Sequence, residues 1–509
     1  MNFLQRKKLA FMSIVNQIKG FVRTVLGVLP LTLPDCVDDK SVIDYKIYGE
    51  SVQNGEPTPE NPIEVESVGE KTKNLFDFDT AISSTDSWYY SGGSRSYGLE
   101  LEMGKQYTLS CEIVNHTEGV TVNIVRKPDI SKWGNTKLFQ LSGTLGRKSY
   151  TFISDGTECL WVYKDGGATM DLVSKYLIEN IEYVQLEEGD TATEYEPYGK
   201  YKIPVTAKGK NLIPGWKSGW VAVNTGVLNE TTYPNRRYTD YIPIENGAAY
   251  VISGGGNNSN YTLYDENYNF FTGQILSSSR GFSVTGTSEA AKYVRIAHPN
   301  TNVSNIQLEK GAVATEYEPY VEPITTNIYL DEPLRKVGDY ADYINFEKSL
   351  VFRKIYKEYF TKVTSTSSES TTYKKFITPI SKKPLIKSTI LNSTNVGDMR
   401  GYAISNKFVQ SEVNYNNLGK YPNLIQTYIP TGGGYRVANT FDDSSITTVA
   451  QANEKIGDGF DVCYVLEEQI EESIELPNLP TFKGTTIYTI DTSIQPSNME
   501  VTYYSTSKE

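Results

Sequence analysis

Residues 185–198 read QLEEGDTATEYEPY and residues 307–320 read QLEKGAVATEYEPY, differing only where Lys310, Ala312 and Val313 replace Glu188, Asp190 and Thr191. A match of that length is the mark of a duplicated structural unit. Two further pairs extend it. Glu102, Gly104 and Tyr107 in LELEMGKQYTLS parallel Glu245, Gly247 and Tyr250 in YIPIENGAAYVIS, and Lys73-Asn74-Leu75 parallels Lys210-Asn211-Leu212. Late in each unit comes a short apolar run, CLWVY at Cys159–Tyr163 and KYVRIA at Lys292–Ala297. Each copy opens on KNL and closes on EYEPY, at 73–200 and 210–322; with its lead-in the second module is placed at 201–322. Units of about 110–130 residues with strands at short intervals have the size of a two-sheet sandwich.

Composition agrees with a mainly β chain. Forty Gly, 22 Pro and 38 Tyr punctuate 509 residues, and the Tyr and Thr gather in short runs between Gly, Asn, Asp and Ser, as short strands between tight turns require. A chain this long exceeds one core. The expected layout is an N-terminal helix at 1–34, an extended linker with edge strands at 35–72, the two modules, and a C-terminal β domain at 323–509 with 356–461 as an insertion or tip. In the linker, Asn54-Gly55 signals a turn and Pro57, Pro59 and Pro62 deny a helix. In the last domain, Lys336–Ile355 alternates as two strands around Glu347-Lys348-Ser349, Thr364–Tyr373 is a Ser/Thr-rich loop, and Thr485–Tyr504 alternates toward a final strand.

The N-terminal 34 residues hold the only long helical pattern. Leu4, Phe11, Ile18 and Val25 recur every seven residues, with Ile14, Phe21 and Val28 at the complementary positions and Pro30 closing the run. The stripe is too wide for a two-helix seam, so the expectation is oligomerisation, as a trimer, or docking on another protein. An ordinary capping helix and a membrane-surface helix are the rivals, the latter because Arg6, Lys7, Lys8, Lys19 and Arg23 face no acid there. No run reaches a membrane span, and the segment lacks a signal peptide's compact apolar core and cleavage site.

Net charge is −12; since the first 34 residues are cationic, the acidic excess lies in the body, which disfavours a nucleic-acid partner. The four cysteines stand far apart without finger spacing, and Cys111 within YTLSCEI reads as a buried strand thiol. Two histidines, His116 and His298, give a metal site or a catalytic His little to draw on. No Gly-rich phosphate loop, GxSxG elbow or HExxH occurs. A carboxylate pair of the glycosidase kind stays open, yet Glu194, Glu196, Glu316 and Glu318 recur at module ends, which argues for architecture. No enzyme, cofactor or metal is therefore expected.

Sugar C–H faces stack on aromatic planes, so exposed rings are candidate glycan platforms. Trp88-Tyr89-Tyr90 in a polar run and Trp216 and Trp220 in PGWKSGW follow their module's KNL at comparable places; sandwich packing or subunit contact is the competing role. Trp161 alternates within CLWVY and reads as core.

The wording of NGEPTPENPIEVESVGEKTKNLF, QLEEGDTATEYEPY, DEPLRKVGDYADYINF and LPTFKGTTIYTIDTSIQPSNMEVTYY resembles segments of tail-fibre and related virion proteins from phages and prophages of Gram-positive bacteria. The resemblance covers most of 42–355 and 462–504. It implies jelly-roll modules similar to carbohydrate-binding domains, in a tail-fibre, baseplate or head-fibre component that is commonly trimeric and meets a host-surface glycan. The alternatives are a phage-borne glycan depolymerase, for which short stacked β-helix repeats would be expected, and a bacterial surface adhesin, for which an export signal would be.

Overall fold

A computed structural model describes residues 46–490 and 501–503, apart from short breaks at 84–86, 92, 117, 133, 165, 246, 255–258, 277–279, 284–290, 393–394, 414 and 431–433. Leu4, Phe11, Ile14, Ile18, Phe21, Val25 and Val28, and with them the expected N-terminal helix, lie outside the described residues. The described chain is mainly β.

The strand Gln106–Ile113 shows how the first unit is built. Tyr107, Leu109, Cys111 and Ile113 alternate onto one face and are buried in one core, as period-two side chains must be. It is the middle of a three-stranded sheet between Gly146–Ile153 and Ile181–Glu188. Facing it is a five-stranded sheet in the order Trp88–Ser91, Ser94–Gly98, Glu158–Lys164, Val120–Arg126, Thr136–Gln140. Val122, Ile124, Leu160 and Val162 from the second sheet meet Leu109 and Leu186 from the first. The helix Met170–Asn180, started by the Thr169 side chain accepting from the Leu172 amide, adds Val173, Tyr176 and Leu177 to the same core.

The second unit repeats this order of strands. Ala249–Ser253 lies between Arg280–Ser283 and Gln307–Lys310. The facing sheet runs Lys217–Ser218, Arg237–Tyr238, Tyr293–His298, Ser259–Tyr264, Phe270–Leu276, and Ile252, Leu263, Val294, Ile296 and Leu308 form its core. The helices differ: the short helix Phe78–Ser83 has no helical counterpart after Ile213, and where the first unit has its long helix, residues 299–306 hold only turns and bends.

The chain between and after the units forms a third assembly. Tyr201–Lys208 pairs along its length with Ile324–Leu330, from Tyr201 opposite Leu330 to Ala207 opposite Ile324. It also pairs with Thr486–Ile490 and with Glu70–Lys71. Ile203, Val205 and Ala207 are buried there with Ile328, Leu330, Ile344, Val351 and Tyr488. Residues 201–208, read from sequence as the start of the second module, thus sit in a hub sheet, and the chain leaves this hub and returns to it around each unit.

Of the expected linker, residues 46–72 are described, and they are likewise held rather than hanging free. Lys46–Tyr48 pairs with Tyr343–Asn345, and Ser51–Val52 with Glu66–Ser67. The Pro-rich loop between them is strapped down by the Ile63 amide donating to Asn406 (2.7 Å) and Asn423 Nδ2 to the Pro57 carbonyl (2.6 Å). Tyr343–Asn345 and Leu350–Phe360 flank the Glu347-Lys348-Ser349 turn as expected, with Ser349 at φ 52°.

Leu350–Phe360 then pairs with Phe460–Ser473, so residues 356–461 are continuous with a long hairpin. They carry their own five-stranded sheet, and Phe360, Phe376, Phe408, Phe441 and Phe460 form a core there with Tyr464. Within the Ser/Thr-rich stretch, Ser365–Thr366 pairs with Phe376 and Ile377 instead of looping freely.

Candidate functional site

The repeated motif is an internal latch. In the first copy Gln185 Nε2 donates to Glu187 Oε1 (2.8 Å), while Glu187 also accepts from the Thr193 amide (2.9 Å) and hydroxyl (2.7 Å). Gln185 Oε1 accepts from the Glu196 amide at 2.7 Å. The second copy reproduces every one of these bonds: Gln307 to Glu309 (2.9 Å), the Thr315 amide and hydroxyl to Glu309 (2.8 and 2.7 Å), and the Glu318 amide to Gln307 (2.8 Å). Gly189 and Gly311 turn the chain between these partners at φ 130° and 145°, where a side chain would be strained. The KNL asparagines complete the closure, each Oδ1 accepting from the amide two residues on, Phe76 at 3.0 Å and Ile213 at 3.1 Å.

The second glutamate of each EYEPY reaches outward to the hub. Glu196 accepts from the Lys73 amide (2.8 Å) and pairs with Lys202 (2.6 Å). Glu318 pairs with Lys210 (2.9 Å) and accepts from the Thr485 amide (2.8 Å) and hydroxyl (3.0 Å). Glu187, Glu196, Glu309 and Glu318 are thus engaged by the fold, whereas Glu194 and Glu316 of the same motif are exposed. The third matched signal is structural too: the hydroxyls of Tyr107 and Tyr250 accept from the Glu102 and Glu245 amides, at 3.2 and 2.8 Å.

The aromatic candidates separate. Trp88 is a core residue: it is 5% exposed, its indole N–H donates to the Ala81 carbonyl (2.7 Å), and its ring lies 5.5 Å from that of Tyr97. An edge strand that looks polar in sequence still turns alternate residues inward, which is why the ring is not a surface platform. Tyr89 and Tyr90 are exposed, with the Arg95 guanidinium 5.1 Å from the Tyr90 ring. Trp216 is half-buried against the second core. Trp220 is half-buried on a short hairpin, and the Arg236 guanidinium lies between it and Tyr233, at 4.5 and 4.2 Å. Trp161 is buried, but on the sheet face away from the main core, with Val125 and Cys159.

Cys111, Cys159 and Cys463 are buried free thiols, and burial pushes them up to about 12, 11 and 11 respectively. His116 is exposed; His298 is buried with Nδ1 3.1 Å from the Asn300 carbonyl. Among the described residues no group of three or more His, Cys, Asp or Glu is placed to hold a metal, and no helix is long and apolar enough to cross a membrane.

A groove of about 460 Å³ opens at the end of the first unit. Its walls are Asp77, Phe78, Asp79 and Ile82 after the KNL opening, Ile178 and Ile181 at the end of the helix, and Glu182 and Tyr183. Tyr195, Pro197 and Tyr198 of the latch form its floor. Tyr183 sits in a bulge, between Glu182 opposite Glu112 and Gln185 opposite Ser110, at φ 52°. It is 53% exposed, and its ring meets Tyr195 edge-on at 5.1 Å. Burial, then the Asp79 charge, holds the Tyr195 phenol above its ordinary pKa. Sequence reading missed Tyr183. The available signal was its position two residues before the repeated motif, where the second copy has Asn305.

No protein-family model matches the chain. One curated relative does. Over 166 residues, 31% of this chain, it is 30% identical to the "Tail fiber protein" of Enterococcus phage phiEF24C. The match spans 9% of that protein's length.

Proposed function

We propose that the chain is a non-enzymatic structural component of a bacteriophage particle, of the tail-fibre kind, whose β units present a surface to the host cell. The observation that carries this reading is the use of the repeated acids. Four acids of the repeated motif are engaged by the fold, Glu187 and Glu309 in latching each unit shut and Glu196 and Glu318 in joining it to the hub. The partial likeness to a phage tail-fibre protein supports the same reading.

In this account the units are jelly-roll-like sandwiches, the partner is a host-surface glycan, and neither nucleic acid nor membrane takes part. The N-terminal stripe of Leu4, Phe11, Ile14, Ile18, Phe21, Val25 and Val28 trimerises the chain or docks it on another virion protein. A depolymerase would also bind a glycan, but it must shorten it.

The test is to raise antibodies to the purified chain and label intact particles by immunogold, alongside sedimentation of the chain with host cell walls. Labelling of the tail or another surface appendage, with saturable retention on walls, is expected. Particles that carry none of the protein would remove the virion reading, and walls that retain none would remove host attachment.

A further inference from the structure

We infer that the groove beside Tyr183 is a saccharide-binding site for a neutral, hydroxyl-rich segment of a host glycan, with Tyr183 as its stacking platform. The inference rests on the host-attachment reading and goes beyond it by assigning the site and the ligand chemistry.

Comparison of the two units isolates the groove. The floor, Tyr195, Pro197 and Tyr198, belongs to the latch, and the second unit has the same residues as Tyr317, Pro319 and Tyr320. Every wall is peculiar to the first unit. Asp77-Phe78 follows Phe76 where Pro214-Gly215 follows Ile213, the helix bearing Ile178 has only turns opposite it, and Asn305 replaces Tyr183. A feature needed to close the sandwich would recur in both copies. The groove does not recur; Phe78, Ile82 and Ile181 among its walls also pack on the first core, but Asp77, Asp79, Glu182 and the exposed Tyr183 stand outside that core.

Tyr183 itself points the same way. A non-glycine residue at φ 52° holds a backbone conformation that is rarely adopted, and such positions gather at ligand sites. Core packing does not explain it, because the residue is 53% exposed. Tyr195 meets the ring edge-on at 5.1 Å, and both tyrosines line the groove. Aromatic faces accept the C–H face of a sugar ring.

Carboxylates can accept hydrogen bonds from sugar hydroxyls, and Asp77, Asp79 and Glu182 line the walls. Lys200 is the one lining cation, and it is already paired with Asp331. That balance repels phosphate- or sulfate-bearing polymers and suits a neutral one. The volume of about 460 Å³ falls within the roughly 300–1,000 Å³ range of small-ligand sites.

The test uses the full chain, intact host cells, and host wall polysaccharide separated into a neutral and a phosphate-bearing fraction. Affinity is measured by calorimetry for the wild type, Tyr183→Gly and Asn305→Ala, with the melting temperature of each. Glycine accepts φ 52° without strain, so Tyr183→Gly removes the ring while sparing the backbone. The wild type is expected to bind the neutral fraction. Tyr183→Gly should bind it at least tenfold more weakly with an unchanged or higher melting temperature, and Asn305→Ala should match the wild type. Equal affinity in Tyr183→Gly, preference for the phosphate-bearing fraction, or a melting temperature that falls together with affinity overturns the site. If the wild type binds cells but not the neutral fraction, the groove assignment fails and attachment stands. If it binds neither cells nor fractions, the attachment reading fails with it.

Discussion

Glu187 and Glu309 are 2% and 4% exposed, and each is enclosed by a glutamine amide, a threonine amide and a threonine hydroxyl. Removing such a carboxylate strands its donors, and a hydrogen bond to a buried charge is worth roughly 1.5–3 kcal/mol. Glu187→Ala and Glu309→Ala should therefore each destabilise the protein by about 2–3 kcal/mol in urea unfolding. A negligible change in both would show that the latch is decorative. Trp88→Ala should cost about 3–5 kcal/mol, the usual range for a buried large aromatic, whereas Tyr89→Ala should be nearly neutral. An unchanged melting temperature for Trp88→Ala would return that ring to the surface. The burial that raises the thiols of Cys111, Cys159 and Cys463 also hides them. Mass spectrometry after alkylation at neutral pH should find these three unmodified in the folded chain and modified once it is unfolded.

At the scale of elements, what could be read from sequence was what is local. The QLE-to-EYEPY latch spans fourteen residues, so its recurrence was visible, while the side-chain bonds that make it a latch were not. The matched Tyr107 and Tyr250 turns were visible for the same reason, as was the burial of the Cys111 strand. The hub was not. Tyr201–Lys208 alternates apolar and polar like any other strand, and nothing near it reveals that its partners are Ile324–Leu330 and Thr486–Ile490. Long-range pairing is also why Lys46–Tyr48 looked like linker. Trp88 misled because its polar neighbours hid the alternation, and Tyr183 escaped because a bulge breaks the strand's periodicity. The hub makes its own prediction. Ile203→Ala removes a fully buried side chain from the sheet that joins both units and should cost roughly 2–5 kcal/mol. Calorimetry should show the loss, and an unaltered transition would mean that the hub contributes nothing to stability.

For the whole molecule, the many buried tyrosines set a limit at alkaline pH. Burial, then a bond to Glu230, pushes Tyr238 up to about 12. Tyr464 is raised by burial and then by its bond to Glu358, and Tyr415 by burial and then by Tyr428. A phenol whose folded pKa exceeds its unfolded value of about 10 contributes fully below that value and loses its contribution as pH climbs through the folded one. Tyrosinate absorbance should therefore show a late-titrating class that appears together with loss of circular dichroism; titration of all tyrosines near pH 10 without unfolding would contradict the burial. Deleting residues 1–34 should convert a trimer to a monomer by light scattering if the N-terminal stripe is the assembly element. A trimer that survives would move assembly to the β units. The most direct test of a binding but non-cleaving protein is size-exclusion chromatography with light scattering of the full chain mixed with host wall polysaccharide. The account predicts that protein and polymer elute together, earlier than either alone, with the polymer's own mass unchanged after prolonged incubation. Polymer that shifts to lower mass, or protein that elutes as it does alone, would contradict it.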